Sequence, residues 1–207
     1  MSAKAPHNPF ATRWIRPGAI AYRFAEGASA GQLVDRLRAA CWHGEIIGPH
    51  GSGKSTLLAS LLPALEAAGR RVAHVVLHDG ARRLPAELRS TADWSERTQL
   101  VVDGYEQLSH FSRWRLRRRA RRVGAGLLVT AHRTMGFLRL IEVQASAAVL
   151  ENLVAELQSD CPALISAADV RASFSQHSGD ACETLFDLYD LYERRMRHNR
   201  APQQVGS

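Results

Sequence analysis

The sequence predicts a three-layer α/β fold, with a five-stranded parallel sheet between helices and a helical appendix at the C-terminal end. Three observations predict it. Short apolar runs alternate with longer stretches of helical spacing, the pattern of parallel strands joined by helical crossovers. A glycine-rich loop joins the first apolar run directly to a leucine-rich helix, in "EIIGPHGSGKSTLLASLL", residues 45–62. A later apolar run, "TQLVVDGYEQL" (98–108), ends on a carboxylate, Asp103.

The 207 residues suit one domain with a small appendage and a real core. A hydrophobic content of 45% and a charged content of 23% are those of an ordinary soluble protein. No apolar run approaches the ~18 residues that a spanning helix needs. The opening "MSAKAPHNPFATRWIRPG" lacks the apolar centre of a secretory signal. Cys41, Cys161 and Cys182 follow neither metal-ligand nor disulfide-framework spacing, so the expected location is the cytoplasm. The net charge is +7, carried by 25 arginines and only two lysines, Lys4 and Lys54. Such a bias, with many alanines, reflects a GC-rich genome, and the charge by itself identifies no partner.

Taken in order, residues 9–43 read as an extended segment, "PFATRWIRPGAIAYRF", followed by an amphipathic helix, "SAGQLVDRLRAACWH". "GEIIG" reads as a buried strand. The loop after it, Gly48, Pro49, His50, Gly51, Ser52, Gly53, Lys54, Ser55 and Thr56, fits G-x-x-x-x-G-K-[ST] at every fixed position. Glycines let successive backbone N–H groups turn toward one anion. The helix that begins near Lys54 adds its free N–H groups and dipole. In such a loop the lysine reaches the β- and γ-phosphates, the Ser55 hydroxyl ligates Mg²⁺, and Thr56 lies toward the α-phosphate. Leu57, Leu58, Leu61, Leu62 and Leu65 continue the helix, which Gly69 ends and Pro63 interrupts or bends.

"RRVAHVVLHDG" (70–80) is the second predicted strand and "TQLVVD" the third. A carboxylate ending such a strand, downstream of a phosphate loop, is placed to hold hydrated Mg²⁺ opposite Ser55. Glu106, three residues beyond Asp103, is the candidate that orients or deprotonates the attacking water. Glu45 and Asp79 are weaker candidates. "RWRLRRRARR" (113–122) places seven arginines in ten positions of the next helix. These suit a phosphate backbone, an acidic partner or plain solvation, and nucleic-acid binding is the less favoured of these readings. The fourth strand, "GLLVTA", ends in Thr130, with His132 and Arg133 just beyond, and "FLRLIEVQA" (137–145) supplies the fifth. Tyr22 and Trp14 have flat faces suited to adenine, although core packing is the favoured role for both. "SAAVLENLVAEL", "SAADVRASFSQ" and "DACETLFDLYDLYERRMRHNR" are helical, and Leu185, Leu188, Tyr189 and Tyr192 share one face expected to pack against the sheet.

With these motifs, the chain resembles a P-loop NTPase of the additional-strand class, closest to the AAA+ and signal-transduction ATPases, over about residues 44–145. The resemblance implies sheet order 5-1-4-3-2 with right-handed crossovers. It also implies that Thr130 or His132 senses the γ-phosphate or the attacking water, and that ATP rather than GTP is bound, because no Asn-Lys-x-Asp motif occurs. In the family an arginine stands in the helical lid, yet Ala181 and Cys182 occupy "SGDACE" (178–183) here. The implied division is an N-terminal segment (1–43), an NTPase core (44–145), and a helical segment packed on it (146–207) with a polar tail from about 201. The expected function is an Mg²⁺-dependent ATPase that switches a protein partner, with oligomerisation and an Arg133 finger as options the family offers. A phosphotransferase with Asp79 as base, and a nucleotide-dependent binding module without turnover, are the alternatives.

Overall fold

The computed structural model describes residues 8–24, 27–78, 80–90 and 92–200. Within these, Ala21–His50 and Lys54–Gln144 form one compact unit, while a second comprises the described residues of Met1–Ile20, Gly51–Gly53 and Ala145–Ser207.

The first unit is built on strands β1 (His43–Ile47), β2 (Arg71–Val76), β3 (Thr98–Asp103), β4 (Gly126–Ala131) and β5 (Arg139–Glu142). They pair in the order β2-β3-β4-β1-β5, every pairing parallel, which is the expected order counted from the other edge. Every residue of β3 and β4 is buried. This explains why their centres, residues 100–102 and 127–129, are continuous apolar runs rather than alternating ones, since helices cover both faces of a parallel sheet.

Two separate cores record that covering. Ile46, Val101 and Leu128 cluster with Leu57, Leu58, Leu61 and Leu65 of α3 (Lys54–Ala67) and with Leu33, Val34 and Leu37 of α2 (Ala30–Ala39). Their strand neighbours Leu100, Val102, Leu127 and Val129 cluster instead with Leu116 and Ala120 of α4 (His110–Arg122). The period-two alternation of side chains thus sorts each strand between the two helical layers. Serine caps open both flanking helices: Ser29 accepts from the Gln32 N–H and Ser109 from the Ser112 N–H. Helix α3 runs unbroken through Pro63. The sheet unit takes in α2 and everything from residue 21, a stretch the sequence assigns to a separate N-terminal segment.

The second unit is helical: α1 (Thr12–Ile15), α5 (Ala147–Leu157), α6 (Ala167–Gln176) and α7 (Ala181–Arg200). Its core joins Leu185, Leu188 and Tyr192 to Phe10, Leu150, Val154, Ile165 and Val170. The aromatic stripe of α7 therefore finds its partners among helices, where the sequence suggested the sheet. The reason is that α5 and α6 bring apolar faces of their own, and Phe10 meets Tyr192 edge-on at 5.7 Å. Arg195 clamps the Asp169 carboxylate with both terminal nitrogens, at 2.6 and 2.8 Å, and Asp169 in turn closes a capping box with Ser166.

Candidate functional site

In a parallel sheet all strand ends of one kind lie on one side, so the loops after β1, β3 and β4 are brought together by topology. The chain leaves β1 with the Gly48 N–H donating to the Ala131 carbonyl at the end of β4. It then turns through Gly51 at φ +63° and Gly53 at φ +95°, both in the left-handed region that disfavours other residues. A Cβ added at Gly53 would meet nothing within 4 Å, so glycine is needed there for its backbone angle, and the space beside it is open. Lys54, the first residue of α3, folds its ammonium back over the loop and donates to the carbonyls of Gly48 at 2.9 Å and Pro49 at 2.5 Å. Its charge is thereby held at the loop. Ser52 Oγ is buried without a hydrogen-bond partner.

From the next residue of α3, the Ser55 hydroxyl donates to Oδ2 of Asp103 at 2.7 Å. The other carboxylate oxygen, Oδ1, accepts from the hydroxyl of Thr130. Thr130 in turn accepts the Gly104 N–H at 2.9 Å. Thr130 is fully buried, and its proton is committed to Asp103. Its contact is thus with the carboxylate, which it orients. Gly104 at φ +78° allows the sharp turn that follows; a Cβ there would strike the Leu77 carbonyl oxygen at 2.8 Å.

That turn presents Glu106 on the 3-10 segment Tyr105–Gln107. One oxygen of Glu106 lies 3.3 Å from Nδ1 of His132, and the other is buried without a partner. The His132 ring meets the ring of His50, in the glycine loop, edge-on at 5.7 Å. Glu106 and the loop are therefore linked through two imidazoles. From α4, Arg113 donates to the Glu106 carbonyl at 2.8 Å, and Arg117 donates to the Tyr105 hydroxyl at 3.2 Å. Burial raises the Tyr105 phenol, and the two guanidiniums beside it oppose that rise only in part. Two of the seven arginines thus fasten the turn that carries Glu106.

The remaining candidates fall elsewhere. Glu45 is buried and fully engaged, accepting from the Thr134 hydroxyl at 2.6 Å and from the N–H groups of Met135 at 2.8 Å and Phe137 at 3.2 Å. It anchors the β4–β5 connection, at the point where the β1–β5 register shifts. A carboxylate in the middle of an apolar strand was the visible signal of that role. Tyr22 packs on Phe24 at 5.0 Å against the α2–α3 core, the favoured reading for it. Trp14 lies on α1 with the Arg13 guanidinium over its ring. Arg133 is exposed. Asp79 and the polar tail from residue 201 lie outside the described residues.

Chemically, the arrangement offers a loop with an ammonium, a hydroxyl paired to a carboxylate, and a second carboxylate with one oxygen unclaimed. The oxygen-only pair of Ser55 and Asp103 fits Mg²⁺, which takes few protein ligands and keeps much of its water. Among the described residues no group of three or more His, Cys, Asp or Glu gathers in a way that would hold a metal by side chains alone.

No protein-family model matches the chain, and no curated protein matches it in sequence. Solved structures do. A DNA replication initiation factor superposes over 86% of this chain and 67% of its own, with a TM-score of 0.53 at 13% identity. NtrX from Brucella abortus in complex with ATP superposes over 89% of this chain, with a TM-score of 0.50 at 14% identity. The present chain spans only 55% of that NtrX chain. At such identities the likeness is one of fold: the chain has the three-layer α/β architecture of P-loop proteins, with a five-stranded parallel sheet.

Proposed function

We propose that this protein binds ATP with Mg²⁺, hydrolyses it, and uses the cycle to switch a protein partner. The observation that carries the reading is the Ser55–Asp103 contact at 2.7 Å, directly after a glycine loop that holds the Lys54 ammonium. The Lys54 ammonium exchanges its two carbonyl acceptors for phosphate oxygens, a stronger, charge-assisted contact. The loop N–H groups and the start of α3 bind the remaining oxygens. Ser55 and Asp103 would hold Mg²⁺, which neutralises charge on the β- and γ-phosphates. Thr130 keeps the Asp103 carboxylate in one orientation. Glu106 takes the proton of an attacking water on its unclaimed oxygen, while His132 holds the other oxygen. Adenine as the base is consistent with the ATP that NtrX carries in its complex.

The test is product analysis on the wild type and on Glu106→Gln. Free phosphate released without any added acceptor, and abolished in the variant while ATP binding persists, supports hydrolysis. Phosphate transfer that needs a small-molecule acceptor would replace this reading with that of a kinase. Saturable binding with no phosphate release from the wild type would leave a binding module.

A further inference from the structure

The arginine-rich helix α4 divides its arginines between two environments. Of its seven arginines, Arg113, Arg117 and Arg119 are half-buried and donate to carbonyls of their own unit, those of Glu106, Met135 and Leu88 among them. The other four, Arg115, Arg118, Arg121 and Arg122, are exposed, and none of them is in an ion pair among the described residues. They are not scattered. With Phe111 and Trp114 they occupy positions i, i+3, i+4, i+7, i+10 and i+11, which is one face of a helix. That face runs about 16 Å at the helical rise. The opposite face, with Ser112, Leu116 and Ala120, is the buried one.

The two aromatics are the unusual feature. Phe111 is 64% exposed and Trp114 53%, among the large apolar side chains left open to solvent. They stack on one another at 5.9 Å with 23° between ring planes. Guanidiniums extend the stack, Arg115 over Phe111 at 5.6 Å and Arg118 over Trp114 at 5.5 Å. Shallow grooves of about 250 and 420 Å³ flank Trp114, the first lined by Arg115, Arg118 and Arg122 with Arg119, the second by Arg118 and Arg121 with Arg117.

We infer that this face binds single-stranded nucleic acid. Four uncompensated guanidiniums along one line suit a chain of phosphates, and flat exposed rings suit unpaired bases, which stack without regard to sequence. A duplex would engage the arginines but keeps its bases away from the rings. Protein interfaces also favour Trp, Phe and Arg, but this stripe carries four positive charges with no aliphatic or acidic residue among them, which suits a polyanion better than an apolar interface core. The structure thereby favours the option that arginine content alone left behind, because it separates arginines with structural work from those without.

The test uses the intact protein and a labelled, mixed-sequence single-stranded oligodeoxynucleotide, read by fluorescence anisotropy across salt concentrations. Four phosphate contacts predict a log–log salt slope of about −3. The double variant Arg118→Ala, Arg121→Ala should lower the slope by about 1 to 1.5. Trp114→Ala should weaken binding about tenfold while leaving the slope unchanged, since it removes stacking and no charge. Unaltered circular dichroism and ATP binding in the variants exclude misfolding. Absence of binding, equal or tighter binding of the duplex, equally effective competition by polyglutamate, or indifference to Trp114→Ala would each overturn the inference.

Discussion

The hydroxyl of Ser55 donates to the carboxylate of Asp103 at 2.7 Å, although 48 positions of chain separate them. Neither residue is placed by its neighbours in sequence. Ser55 is set by the start of α3 and Asp103 by the end of β3, and β4 lies between β3 and β1 in the sheet. In the fold the pair brings a hydroxyl and a carboxylate oxygen together, the donor type that a hard cation takes. Replacing Asp103 with Asn should leave Mg²⁺-free ATP binding nearly unchanged and reduce the gain in affinity on adding Mg²⁺ by about tenfold or more. Calorimetric titration of ATP with and without Mg²⁺ reads both numbers.

Thr130 acts at one remove. Its hydroxyl sits between the Asp103 carboxylate and the Gly104 N–H, and it is buried completely. Thr130→Val keeps the shape and removes the donor, leaving the carboxylate and the N–H each short of a partner. A stability loss of about 1–3 kcal/mol is expected by denaturant titration. Mg²⁺ affinity in the ATP complex should fall about 10- to 100-fold. Thr130→Ser should restore most of both.

Glu106 and His132 should separate kinetically from the binding residues. Glu106→Gln is expected to lower turnover about 10²- to 10⁴-fold with ATP affinity little changed. His132→Ala removes the partner of one Glu106 oxygen and the ring against His50, and should lower turnover by less, again with little loss of affinity. Steady-state phosphate release combined with equilibrium nucleotide binding distinguishes the two effects.

The helical unit carries a pH-dependent clamp. Hydrogen bonding to Arg195 is the main cause that holds the Asp169 carboxyl well below its ordinary value of 3.8, with Ser166 contributing and burial opposing. The folded value lies below the unfolded one, so the clamp's stabilisation is complete above about pH 4 and drains away as pH falls further. Arg195 shifts the opposite way, upward, as its partner should. Arg195→Ala should cost about 1 kcal/mol near neutral pH, a modest figure because the pair is partly exposed. The variant should also flatten the loss of stability on acidification below about pH 4, measured by urea midpoints across pH.

Much of the sheet unit could be read from sequence because local signals and tertiary demands agree there. Five apolar runs, a glycine loop with its lysine and a strand-end aspartate each needed only a few adjacent residues to be recognised. What could not be read depends on contacts between distant segments. Glu45 reads as a chemical candidate until the N–H groups of Met135 and Phe137 are seen to occupy it. His50 reads as one member of the candidate phosphate-binding loop, and nothing in the sequence shows that its ring meets that of His132. The arginines of α4 look alike in sequence, and only contacts with distant segments, such as Tyr105 and Phe137 against Arg117 and the Leu88 carbonyl at Arg119, separate the half-buried from the exposed. Tyr192 shows the same limit: its helical face was legible, but not the helices that would cover it.

The most direct measurement is calorimetric titration of Mg²⁺-ATP into the wild type and into Lys54→Ala, whose ammonium donates to the Gly48 and Pro49 carbonyls of its own loop in the protein alone. Binding by the wild type at one site, with a loss of at least about tenfold in the variant, is the predicted result. Equal affinity in the two proteins would contradict a phosphate-binding role for the loop.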